Sequence, residues 1–271
     1  MSTTFNQGNF LRDDGTFQPV NSVPRSFLAG MLLSNDGTSP NTVLDVSAGT
    51  CTDSANATSI TLTAVTKTTT GTWSSGSGSA GMSTGVAANS TWYHVFAIIN
   101  NGAADVCFDT SVNSTNAPSG TTAFRRLGSI RTSTSGNILT FTQLGDEFLW
   151  KTPIADVSGA SVSTSTAGAL ITLSGVPTGV QVRARYRGII PITGAAAGGI
   201  LLQSPDETAT RGNSNPLGNL SANISATSQS MGGEWQTRTN TSAQIRWSAS
   251  ATGITAFLIT FGWFDDRGKA T

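Results

Sequence analysis

The chain has 271 residues, only 11% of them charged, and its fifteen basic side chains are balanced by fifteen acidic ones. A net charge of zero without a basic cluster gives no electrostatic footprint for nucleic acid or an anionic membrane, and no apolar run approaches the roughly 20 residues that span a bilayer. Uncharged polar groups must therefore cover the surface: Ser and Thr supply 75 residues and Gly 30, a composition of strands and turns, while 6 Trp and 12 Phe argue for a packed core and against disorder.

Residues 1–26 hold Phe5, Phe10, Leu11 and Phe17 at irregular spacing among Gly, Asn and Pro. This fits neither helical nor strand periodicity and predicts an N-terminal attachment arm. The opening Met1-Ser2-Thr3-Thr4-Phe5 has no basic and then apolar run, so no secretion signal is expected and the chain is read as made and kept in a cytoplasm.

From Phe27 the pattern becomes short extended runs between turn residues. Strands are predicted over 27–33, closed by the turn signal Asp36-Gly37, then over 42–46 and 59–66, the last with clear alternation. Gly71 to Asn89, with Ser74-Ser75-Gly76-Ser77-Gly78-Ser79, reads as a long mobile surface loop around Trp73. The run 92–99 is almost continuously apolar and predicts a central strand buried on both faces. Further strands are expected over 104–108, 123–130, 137–144 and 147–150.

A Ser/Ala/Gly/Thr-rich stretch begins after Lys151-Thr152-Pro153 and suggests a junction. Beyond it, strands are predicted over 169–173, 179–186, 199–203, 244–249 and 254–264. In the second of these, Val180, Val182, Ala184 and Tyr186 alternate with Gln181, Arg183 and Arg185, as in an antiparallel sheet with one wetted face. The expected fold is all-β: two antiparallel β-sandwich, jelly-roll-like units over 27–152 and 153–271, preceded by the extended arm.

Four segments carry a resemblance: Val46-Ser47-Ala48-Gly49-Thr50-Cys51-Thr52-Asp53-Ser54, Asn89-Ser90-Thr91-Trp92-Tyr93-His94-Val95-Phe96, Phe124-Arg125-Arg126-Leu127-Gly128-Ser129-Ile130 and Phe141-Thr142-Gln143-Leu144-Gly145-Asp146-Glu147-Phe148. In order and spacing, the region from about Gly30 to Trp150 resembles a module of bacteriophage structural proteins, in tail fibre, collar or baseplate appendages. The resemblance implies a non-enzymatic virion component, assembled in the host cytoplasm and contributing to host adsorption. It implies a homotrimer that meets other virion proteins through the arm and a host surface glycan at its far end. A capsid decoration or head-fibre protein is the alternative within this class; a carbohydrate-active depolymerase or a free carbohydrate-binding module is the alternative outside it.

Chemistry-bearing residues are sparse. His94 is the sole histidine, and within its apolar run it reads as structural; Cys51 and Cys107 read as buried thiols, with a bridge between them left open. The pairs Asp13-Asp14, Asp146-Glu147, Asp206-Glu207 and Asp265-Asp266 are adjacent residues, which point to opposite faces of an extended strand and make no glycosidase couple by themselves. No catalytic residue, metal site or cofactor is expected. Arg183, Arg185 and Arg187 read as a solvated sheet face, or as partners for a neighbouring subunit's carboxylates or an acidic sugar. Trp73 and Trp235, in Gly/Ser-rich surroundings, are the candidate glycan contacts.

Overall fold

The structure, a computed structural model, describes residues 9–11, 17–19, 24–192, 198–208, 220–222 and 229–269. Among them there is no helix; the chain is all-β, with several sheets, one a curled half-barrel.

Two short strands, β1 (Asn9–Leu11) and β2 (Phe17–Pro19), pair antiparallel at the start of the chain. Then come β3 (Leu28–Gly30), β4 (Leu33–Asn35), β5 (Val43–Val46), β6 (Gly49–Thr52), β7 (Ser59–Leu62), β8 (Val65–Thr72) and β9 (Ala80–Met82). Long strands follow: β10 (Trp92–Asn100), β11 (Ala103–Asp109), β12 (Thr121–Arg131), β13 (Phe141–Leu144) and β14 (Glu147–Ser161). The remainder is β15 (Ala169–Thr172), β16 (Arg183–Ile192), β17 (Gly198–Gln203), β18 (Leu220–Ala222), β19 (Gln229–Arg238), β20 (Gln244–Ala249) and β21 (Thr255–Phe264).

In the first half a seven-stranded sheet, β12-β10-β11-β9-β8-β5-β4, accompanies a three-stranded one, β3-β6-β7; in the second a five-stranded sheet, β13-β14-β21-β16-β19, accompanies a four-stranded one, β15-β20-β17-β18. The expected antiparallel pairing needs one correction: β9 runs parallel to both β8 and β11, so the seven-stranded sheet is mixed.

Local chemistry explains the turns. Asn101 and Gly102 both take positive φ, 47° and 82°, between Asn100 and its partner Ala103, the geometry that a two-residue hairpin with right-handed strand twist requires. The run expected as one strand over 27–33 is two strands in different sheets, because Gly30 (φ 69°) and Met31 (φ 51°) turn the chain between β3 and β4. The alternation over 59–66 likewise breaks between β7 and β8.

Strand β10 matches its expectation. Tyr93, Val95 and Ala97 enter the main core, while Phe96 and Ile98 form a smaller cluster on the other face with Cys107, covered by Trp73 and Phe124. The junction expected at 152/153 falls inside β14, which runs unbroken from Glu147 to Ser161 and bends at register shifts against β21. Its second half is rich in small residues because it is exposed. One core cluster extends from Met31 to Trp263 through both halves. At its centre Trp92 of β10 meets Trp150 of β14 and Trp263 of β21 at ring separations of 5.8 and 5.6 Å, and Phe148 stacks on Trp263 at 4.9 Å. Such pairs contribute about 0.5–1.5 kcal/mol each beyond the area they bury.

Candidate functional site

Buried polar side chains from the two halves of the chain converge in one cluster. Arg126, on β12, sends Nη1 to Asp265 Oδ1 at 2.9 Å and Nη2 to Asp265 Oδ2, a bidentate pair joining the first half to the chain just after β21. Asp265 is 1% exposed and Arg126 6%. Its remaining nitrogen, Nε, donates to His94 Nδ1 at 3.2 Å, and Nη2 also donates to Ser129 Oγ at 2.9 Å. Ser129 stands directly opposite His94 across the β10–β12 pair, 2.9 Å from Nδ1. With Nδ1 accepting, the imidazole proton sits on Nε2, where it meets the Thr178 backbone.

The segment after Asp265 completes the lock. Arg267 donates from Nε to the Leu127 carbonyl at 2.7 Å and from Nη2 to the carbonyls of Gly30 and Met31. Its backbone takes φ 57°, and its amide donates to Asp265 Oδ1 at 2.9 Å. Arg125 Nε donates in turn to the Arg267 carbonyl at 3.3 Å. Lys269 reaches Asp146 at 2.6 Å. Residues far apart in sequence thus close over one polar knot with little solvent exposure.

The electrostatics follow from burial. Desolvation, reinforced by the Arg126 charge, pushes His94 down to about 3, so it stands neutral and fully hydrogen-bonded. Burial would raise Asp265, but the charge and hydrogen bonds of Arg126 outweigh it and hold this carboxyl below its usual range. Neither group is poised to move a proton near neutral pH. Asp156 is raised by burial and accepts from Ser174 Oγ at 2.8 Å and the Gly175 amide at 3.0 Å. Among the described residues no group of three or more His, Cys, Asp or Glu is placed to hold a metal ion.

Two clefts lie over the knot. One, of about 370 Å³, is lined by Asp146, Gln181, Arg183, Arg238, Phe264 and Asp266. The other, of about 580 Å³, is lined by Val112, Phe124, Arg126, Val180, Gln181 and Asp266 among others. Gln181 and Asp266 border both clefts.

Trp73 is half-buried: its Nε1 donates to the Val106 carbonyl at 2.9 Å, and its ring packs on the Phe96, Ile98 and Cys107 cluster. The surrounding Ser/Gly stretch is pinned. Lys67, fully buried, donates to the carbonyls of Ser74 and Gly76 at 2.7 and 2.9 Å and to Asp105 Oδ2 at 2.9 Å. The expectation of a mobile loop is corrected on this ground, since the stretch is tied to a buried ion pair. Trp235 lies in β19, not in a loop, with its ring 6.4 Å from Tyr186 and over Gly188 and Gly233. Phe10, Leu11 and Phe17 fall in the β1–β2 pair, with Leu11 opposite Phe17; Phe5 lies outside the described residues.

Of the arginines on β16, Arg185 pairs with Glu147 and Glu234 and lies over the Phe261 and Phe264 rings, and Arg187 pairs with Glu234. Arg183 has no ion pair among the described residues. Both cysteines are free and buried; burial pushes Cys51 up to about 11 and Cys107 up to about 12. Sequence reasoning placed His94 and Arg126 separately but missed their convergence on Asp265 and Arg267, for which strand alternation carries no signal.

The sequence matches no protein-family model and no curated protein, and the fold matches no solved structure.

Proposed function

We propose that the chain is a non-enzymatic structural protein of a bacteriophage particle, an appendage of the tail fibre, collar or baseplate kind that contributes to host adsorption. In this reading it self-assembles, joins other virion proteins through the N-terminal arm, residues 1–26, and uses two sandwich-like, jelly-roll-like units that share one core.

The observation that carries the reading is the meeting of the four segments on which the resemblance rests. The Ser54 amide donates to the Phe124 carbonyl at 2.8 Å, His94 and Ser129 bracket Arg126, and Phe148 stacks on Trp263 beside that knot. The buried polar side chains His94, Arg126 and Ser129 of those segments hold strands together. His94 is neutral and Asp265 is ion-paired, so the groups with perturbed protonation serve the architecture. That is the chemistry of a scaffold that keeps its shape under load.

Electron microscopy of particles carrying an epitope-tagged chain tests the proposal. Label at the tail supports it. Label at the capsid favours the decoration or head-fibre alternative, and particles without label overturn the virion assignment.

A further inference from the structure

The outer face of the five-stranded sheet is unusual for a surface. Ile189, Phe257 and Ile259 are 53%, 40% and 42% exposed, and they adjoin: Ile189 is the register partner of Phe257, and Ile259 follows on the same side of β21. Small residues flank them, Gly232 opposite Ile189 and Ser158 opposite Phe257. Low relief around a contiguous apolar patch marks an interaction surface.

Register also sorts the charges. One row across the face reads Leu144, Glu147, Phe264, Arg183, Arg238 from β13 to β19. A second reads Ala155, Ile259, Arg187, Glu234. The β14–β21 side therefore presents Glu147 and the apolar Phe264, Ile259 and Phe257, while the β16–β19 side presents Arg183, Arg185, Arg187 and Arg238 with Ile189, and Glu234 at its edge; within the chain Arg185 already pairs with Glu147 and Glu234. Arg183 and Arg238 stand directly opposite one another, a like-charge pair that is unfavourable on one sheet, and among the described residues Arg238 alone of the two has a carboxylate, Asp206 at 3.0 Å.

We propose that this face packs against the same face of a second copy of the chain. A two-fold axis lying in the interface, along the strands between β21 and β16, sets Ile189 of each copy on Phe257 of the other. The same operation brings Arg183 to the other copy's Phe264 and Arg238 beside its Glu147, a carboxylate that then lies between Arg238 and its own chain's Arg185. Four neighbouring strands of ten or more residues, at about 4.8 Å spacing and 3.3 Å rise, give a face of roughly 19 by 33 Å. That is of the order of the ~800 Å² per partner found in stable interfaces. The inference rests on the self-assembly included in the functional reading but departs from the three-fold symmetry that the resemblance implies, because same-face packing gives even numbers.

The test is light scattering on the purified full chain over a range of concentrations, with Ile189→Asp and Phe257→Asp as variants and circular dichroism to establish that both remain folded. A dimeric or other even-numbered wild type is expected, with each variant weakening association at least tenfold. Mixing Ile189→Cys copies with Phe257→Cys copies under mild oxidation is expected to give a cross-linked dimer. A monomeric wild type, an odd-numbered assembly, or an assembly indifferent to both Asp variants overturns the proposal, as does failure of the mixed copies to cross-link. Where the chain sits on a particle is read separately by microscopy, so this face and the virion assignment fail independently.

Discussion

Arg126 and Asp265, 139 residues apart, meet as a bidentate ion pair in the interior of the fold. Their geometry ties the edge strand of the seven-stranded sheet to the chain leaving β21.

Removing one partner leaves the other charge buried and unmatched, which typically costs about 3–5 kcal/mol. Asp265→Ala and Arg126→Ala are therefore each expected to lower stability by that amount in urea unfolding. Arg126→Met combined with Asp265→Leu should cost less than either single change, because it removes the stranded charge. Single variants within about 0.5 kcal/mol of wild type would show the pair to be incidental.

Stability should also fall on acidification through His94. The unfolded side chain takes up a proton below about pH 6.5, whereas the folded one resists until about pH 3, so the unfolded chain binds more protons across that window. The neutral imidazole's contribution is complete above pH 6.5 and declines by about 1.4 kcal/mol per unit as pH drops toward 3. Asp265, held below its usual range, adds a loss of the same sign below about pH 4. Denaturant titrations from pH 7 to 4 should show this slope in wild type and a shallower one in His94→Gln; equal slopes would remove His94 from the account.

Lys67 and Trp73 make the Ser/Gly stretch part of the fold. Lys67→Met strands Asp105 and frees the Ser74 and Gly76 carbonyls, so limited proteolysis should open new cleavage between Ser74 and Ser79. Trp73→Ala should cost about 1–2 kcal/mol, between a surface change and the roughly 3–5 kcal/mol expected for Phe96→Ala. A resistant Lys67→Met loop with a silent Trp73→Ala would restore the picture of a free loop.

The two thiols are expected to stay silent in the folded protein. With Cys51 and Cys107 buried and raised to about 11 and 12, a thiol reagent at pH 8 should label neither in native conditions and both in denaturant. Stoichiometric labelling of the native chain would contradict their burial.

Much of the fold was legible in the residues because alternation is a local property of the pleat. Gln244 to Ala249 coincides with β20, and Val182, Ala184 and Tyr186 turn inward while Arg183 and Arg187 face out. The strands missed were β1 and β2, which are too short to show a period within the stretch read as an aperiodic arm, and β6, β9, β18 and β19, whose Gly, Ser and polar residues carry little apolar rhythm. The Ser/Ala/Gly/Thr-rich stretch over 157–168, read as a junction, includes the exposed end of β14, which runs to Ser161.

What the sequence determined by itself was the all-β character, the two-faced burial of β10 and the absence of a charge footprint, all consequences of composition and short-range periodicity. What only the tertiary structure decided was which distant groups meet: Lys67 with Asp105, Arg126 with Asp265, and Arg267 with the carbonyls of Gly30, Met31 and Leu127. Alternation fixes the face on which a side chain lies but not the strand across from it. Partner choice depends on sheet order and on where the chain returns, and neither is written in any local stretch of residues.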